Sequence, residues 1–208
     1  YIVRNRGDGP ATRRFGSNPI LFELDPVEQI DINGDSDLRI AETIAAGIRA
    51  QEVTRFRAML PHLSSPILAD IAKERAMQVV LPRDLRATSP GKMLGRAKTL
   101  ELVAVDSPAD RAPGGAWEGI YGALQSYRFI RPGDVIMVAT DLPEKAYFGD
   151  LNANLAIRSG AVGAVVDGAT RDSDDVRLLG LPVYARGRTC DDIKYEGTVK
   201  AMNRPIAM

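Results

Sequence analysis

Apolar positions divide the chain into a helical first part and an α/β second part. From Leu38 to Leu60, Ile40, Ile44, Ile48, Phe56 and Met59 recur near the helical period, and Pro61 ends the run. Ser64-Ser65-Pro66 then opens a second helix: a serine caps free amides, and a proline in the first turn forfeits no internal hydrogen bond. Ile67, Leu68 and Ile71 follow on its apolar side. Val79-Val80-Leu81 reads as a short buried run, and Gly91 to Val105 alternates loosely, as a strand or strand pair does. Residues 106–116 read as a Pro/Gly/Asp loop, and Trp117 to Phe129 as a helix with Ile120, Leu124 and Tyr127 on one face. After the turn Arg131-Pro132-Gly133-Asp134 the rhythm becomes strand Val135–Ala139, helix Asp150–Ser159 closed by Gly160, strand Val162–Val166, helix Ser173–Leu179 ended by Gly180, and strand Pro182–Ala185. Apolar strands without alternation are covered on both faces. Their ends at 139 and 166 are therefore where an open sheet holds a ligand. Residues 1–36, rich in Gly, Pro, Asn and Arg, read as an arm with one short strand at Ile20–Leu24. The expected division is thus an arm over 1–36 and a domain over 37–208.

Composition narrows the chemistry. At 208 residues and 45% hydrophobic, the chain can bury a core. Its 27 basic residues balance 27 acidic ones, so no overall field recruits nucleic acid or a membrane surface. No apolar stretch reaches the length of a membrane span and no signal peptide is visible. The single cysteine, Cys190, permits no intrachain disulfide; with these features the expected compartment is the cytoplasm. A Cys–His relay would need Cys190 to meet the one histidine, His62, far away in sequence. One histidine and one cysteine also exclude the usual zinc sets, so a bound metal would take oxygen ligands, which suits Mg2+ or Mn2+.

Three polar segments are candidates for binding. Asp31, Asn33, Asp35 and Glu42 occupy positions 1, 3, 5 and 12 of a calcium-loop pattern, but Ser36 stands at the sixth position and Pro26 interrupts any preceding helix. The alternative is a polar turn in which Asp35 or Ser36 caps the next helix. The second segment, Phe148-Gly149-Asp150-Leu151-Asn152, opens a helix whose free amides can hold a carboxylate or phosphate; its plainer reading is an Asp cap. In the third, Asp167 to Asp175, Arg171 can grip a carboxylate and Asp172 a hard cation. Alternatively, Arg171 pairs with a neighbouring acid, while Asp172 or Ser173 caps a helix.

Several stretches together resemble the RraA-like family, which includes 4-hydroxy-4-methyl-2-oxoglutarate aldolases and a protein inhibitor of ribonuclease E. They are Gly133–Val138, Gly149–Ala156, Gly160–Asp172 and Leu179–Gly187, with Leu63-Ser64-Ser65, Asp70 and Gly91–Thr99 as earlier landmarks. The resemblance implies an α/β fold, a layered β/β/α swivelling-type domain with an N-terminal extension, assembled as a trimer or hexamer. It also implies a lyase that cleaves 4-hydroxy-2-oxo acids or decarboxylates oxaloacetate through a pyruvate enolate. Gly149, Asp150, Leu151 and Asn152 would bind the 2-oxo acid end, Arg171 its carboxylate, and Asp172 Mg2+ or Mn2+, while Asp150 orients a proton-relaying water. The alternative within the family is a non-catalytic regulator of an RNA-processing enzyme. A methyltransferase reading lacks the glycine-rich loop such chemistry needs after a first strand. Lys145 is expected to be a solvated side chain. Thr140–Tyr147 departs from the family's Gly-rich stretch, and Asn152 and Asn154 stand where apolar or small residues are usual. The family's final acidic strand, which supplies an acid to a neighbouring subunit, has no counterpart after Met208.

Overall fold

The computed structural model describes residues 23–105 and 122–208. The loop 106–116 and the first residues of the 117–129 helix lie outside the described residues, as does most of the expected 20–24 strand. The chain divides into two compact units, Tyr1–Gly47 and Ile48–Met208. In the first, a turn at Pro26 is closed by Glu28 N–H donating to the Asp25 carbonyl at 2.8 Å. The segment matching a calcium-loop pattern is instead the entry to helix α1 (Asp35–Met59). The helix has already begun at the fifth loop position, and the Asp37 carboxylate accepts the Asn33 N–H at 3.0 Å. Acids in this first turn favour the positive helix end.

In the second unit, the last turns of α1 are fastened by charge. Arg49 donates to the Pro132 carbonyl at 2.8 Å and pairs with Asp134 and with Glu52, and Glu52 pairs with Arg96 at 2.8 Å. Leu60–His62 is a short 3-10 turn that holds the chain's histidine. Helix α2 (Ser65–Glu74) begins as its sequence requires, with Ser64 Oγ accepting the Ile67 N–H at 3.4 Å. Val79-Val80-Leu81 is not buried: it is extended coil, and Val80 is 67% exposed. Three apolar residues in a row mark burial only where another layer covers them.

Among the described residues seven strands form one mixed sheet: β1 (Arg86–Ser89), β2 (Arg96–Ala104), β3 (Asp134–Thr140), β4 (Ala146–Phe148), β5 (Gly163–Thr170), β6 (Val183–Arg188) and β7 (Gly197–Met202). Their order is β1-β6-β5-β3-β2-β7, with β4 also on β5. β2, β3, β5 and β6 run parallel, and antiparallel β1 and β7 close the two edges. The fold class is thus α/β, as expected. β5 outlasts its apolar run, so Asp167–Thr170 is strand rather than loop, and Gly91–Gly95 lies outside β2. Helix α3 (Asp150–Ser159) places Asn152, Ala153 and Ala156 against the core. It ends at Gly160, whose φ of 91° is left-handed and whose added Cβ would lie 2.9 Å from Pro132 Cα. Helix α4 (Ser173–Leu178) follows β5. No described helix is long and apolar enough to cross a membrane.

One core residue breaks the pattern. Lys98 in β2 is 3% exposed on the face shared by Leu100 and Leu102, and its amine has no hydrogen-bond partner among the described residues. Burial holds its pKa below the usual lysine value, and the field of Asp134 opposes this. In the unfolded chain the same amine stays protonated up to about pH 10.5. Between the lowered folded value and the unfolded one, the unfolded chain binds more protons, so stability rises with pH across that window. Lys98→Met is expected to stabilise the fold at pH 7 by on the order of 1–3 kcal/mol and to flatten the alkaline rise. Denaturant midpoints from pH 7 to 10 test this; a midpoint that falls in the variant contradicts it.

Candidate active site

The ends of two adjacent parallel strands build the site. β4 lies on β5, and its last residue, Phe148, accepts the Arg171 N–H at 2.9 Å, which fixes the Gly149 turn against the Arg171-Asp172 turn. Gly149 is extended (φ −140°), so its role is space rather than conformation. A Cβ there would lie 2.6 Å from Asp172 Oδ2 and 3.0 Å from Arg171 Cγ. Asp172 has φ 50° and ψ 33°, left-handed values that a short polar residue tolerates. Its side chain makes no capping bond to α4; instead Oδ2 lies 3.5 Å from the Asp150 amide, at the start of α3. The positive end of α3 and the Asp172 carboxylate therefore face each other. Asp150 folds its own Oδ1 onto the Leu151 N–H at 2.6 Å, and its carbonyl accepts Asn154 Nδ2 at 2.9 Å.

Arg171 stands between two carboxylates. Nε is 3.4 Å from Asp172 Oδ2, and Nη1 is 2.6 Å from Asp192 Oδ2. These two contacts are the ion pairs that Arg171 makes among the described residues. The Arg171 and Asp172 side chains are more than a third exposed, and they line an open cleft of about 580 Å³ together with Ser173, Asp175, Arg188 and Cys190. A guanidinium and a carboxylate oxygen thus share one space: the first can bind an organic anion, the second a hard cation. Among the described residues no three His, Cys, Asp or Glu side chains form a ready cluster for a metal. The donors present fit a Mg2+-like ion held by one carboxylate oxygen, with water and ligand oxygens completing its shell.

The structure brings Gly149, Asp150, Arg171 and Asp172 together, with Leu151 exposed beside them. It separates one side chain from the group. Asn152 is 8% exposed, and its Nδ2 donates to the Tyr127 hydroxyl at 3.1 Å, so only its backbone amide remains for the site. Burial pushes the Tyr127 phenol up to about 12 and raises that of Tyr147. Lys145 is not a solvated side chain: its amine pairs with Asp191 at 2.7 Å and Glu196 at 2.8 Å, which raises its pKa. Asp192 and Arg188 escaped the sequence reading because no local pattern marks them; Cys190 lies in the cleft wall without His62 beside it in the chain.

A family model described as Aldolase/RraA matches residues 65–208. Over 117 residues the chain is 30% identical to a protein of Halalkalibacterium halodurans provisionally named as a 4-hydroxy-4-methyl-2-oxoglutarate aldolase, covering 56% of this chain and 49% of that one. The chain thus spans about half the length of this relative. An uncharacterised protein of Pseudomonas syringae pv. tomato aligns with a TM-score of 0.61 and 24% identity, over 76% of this chain and 66% of its own. Streptomyces coelicolor RraAS2, described as an unusual member of the RNase ES inhibitor RraA protein family, aligns with a TM-score of 0.59 and 23% identity, over 74% and 72%. Both structural likenesses show the fold.

Gly149→Ala tests the close approach. The sharpest clash falls on the free end of the Asp172 side chain and the next on Arg171 Cγ at 3.0 Å, so unfolding free energy should fall by about 1 kcal/mol, while the carboxylate leaves the Asp150 amide. Denaturant melts and a structure of the variant measure both; an unmoved Asp172 contradicts the prediction.

Proposed function

The chain belongs to the RraA-like family, which holds aldolases alongside inhibitors of RNA processing, and on that premise we propose that it is a divalent-metal-dependent lyase acting on small 2-oxo acids. The reaction is aldol cleavage of a 4-hydroxy-2-oxo acid to pyruvate, with decarboxylation of oxaloacetate as the related alternative. The observation that carries this reading is the Arg171–Asp172 pair seated on Gly149, with both side chains more than a third exposed and lining one open cleft. Assembly as a trimer or hexamer in the cytoplasm belongs to the same reading.

Each group then has a task. Arg171 takes the substrate carboxylate and so aligns the bond that breaks. Asp172 would hold Mg2+ or Mn2+ through its outer oxygen. When bound, such an ion would supply positive charge to stabilise the negative charge that develops on the 2-oxo acid as the bond breaks. The Asn152 amide, at the positive end of α3, adds a neutral donor for the 2-oxo acid end, with Gly149 and Leu151 forming the adjoining wall. Asp150 orients a water that delivers a proton to the enolate carbon. Lys145 takes no part as a Schiff base, because two carboxylates hold its amine.

A panel of 4-hydroxy-2-oxo acids and oxaloacetate, assayed for pyruvate release with Mg2+ or Mn2+ and again with chelator, tests the proposal. Turnover should require the ion and fall by at least about a hundredfold in Arg171→Ala and in Asp172→Ala. Turnover unchanged by strong chelator contradicts it. An absence of turnover across the panel favours a non-catalytic regulator that acts by protein contact.

A further inference from the structure

A third loop, residues 189–196, reaches the site from the end of β6 and does not belong to the two turns just described. Its backbone is stitched beside β4: Ala146 N–H donates to the Asp191 carbonyl at 2.7 Å, and Ile193 N–H donates to the Ala146 carbonyl at 3.1 Å. Ile193, 1% exposed, anchors it in the core. Lys145, one residue before β4, ties down both its ends through Asp191 and Glu196.

Between those anchors stands Asp192. Its Oδ1 accepts the Lys194 N–H at 2.6 Å, and its Oδ2 holds Arg171 Nη1 at 2.6 Å. Both oxygens are engaged, so this carboxylate sits in one orientation before any ligand arrives. The second acid touching the guanidinium, Asp172, is farther from it at 3.4 Å. An exposed arginine loses several rotatable bonds on gripping a ligand, and a fixed partner on one nitrogen removes part of that loss in advance.

We propose that Asp192 is a positioning residue: through its ion pair it holds the Arg171 guanidinium at the cleft, where it receives an organic carboxylate. This rests on the lyase reading for its substrate but not for its geometry. The pair predicts a split in kinetics, because Asp192 touches neither the reacting bond nor the cation. Its removal weakens binding of the acid far more than it slows the bound acid's conversion.

The test uses Asp192→Asn, which keeps the acceptor for Lys194 and deletes the charge, in the full-length protein with Mg2+. Calorimetric binding of oxalate, a small dianion, should weaken by about tenfold, and KM should rise similarly while kcat stays within about twofold. The Arg171 Nε–Hε NMR signal, assigned by its loss in Arg171→Lys, should be ordered in the parent and averaged by motion in Asp192→Asn. Asp192→Glu should recover part of the order. An Arg171 signal equally ordered in Asp192→Asn overturns the inference, whether or not the protein is a lyase. An ordered signal lost in the variant, in a protein with no turnover, upholds the positioning role and removes only the assigned reaction.

Discussion

One close approach organises this molecule: the turn after β5 comes so near the start of α3 that the side chains of Arg171 and Asp172 fill the space a Cβ at position 149 would take. The Arg171 amide, hydrogen-bonded to the Phe148 carbonyl, joins the backbones of the two turns, and the side chains of Arg171 and Asp172 then pack into the space Gly149 leaves. Left-handed backbone at Asp172 then swings its carboxylate back toward the helix start instead of over α4. Arg171 and Asp172, opposite charges in one turn, both line one open cleft, with the start of α3 against the Asp172 carboxylate.

The rest of the fold serves this meeting. β3, β5 and β6 run parallel, so the turns after β5 and β6 emerge on the same side, where ligands settle in open parallel sheets. The small buried face of α3, with Ala153 and Ala156 fully covered, lets the helix lie close on the core. Gly160 ends it against Pro132 in a turn that only a left-handed residue makes cheaply. At the other end of the sheet, Arg49 gathers the Pro132 carbonyl and Asp134, tying α1's last turns to the beginning of β3.

Much of this could be read from residues alone, for identifiable reasons. Local chemistry governs the ends of α2 and α3: Ser64 as cap, Gly160 as stop, and Pro61 as a break before the second helix. The Gly149 and Arg171-Asp172 turns were legible because a family pattern spans both, and the structure brings their residues together. What was missed depends on who lies next to whom. β1, β4 and β7 are short or polar and exist because a neighbouring strand offers its edge. Apolarity alone suggests burial for Val79–Leu81, yet the three side chains are exposed because burial depends on a covering layer that the run itself does not encode. Lys145 looked solvated because its partners, Asp191 and Glu196, are 46 and 51 residues away. Asp192 was invisible for the same reason. Asn152 carried a polar side chain at a binding turn, yet its helical position points that side chain at Tyr127.

The central claim is that one cleft holds a cation on Asp172 and an organic anion on Arg171 at once. Mn2+ binding followed by water-proton relaxation, with and without oxalate, measures both together. The account predicts that Mn2+ binds the parent protein, that oxalate tightens it and displaces water from the ion, and that Asp172→Ala abolishes both effects. Mn2+ binding that persists in Asp172→Ala, or that is indifferent to oxalate, would contradict it.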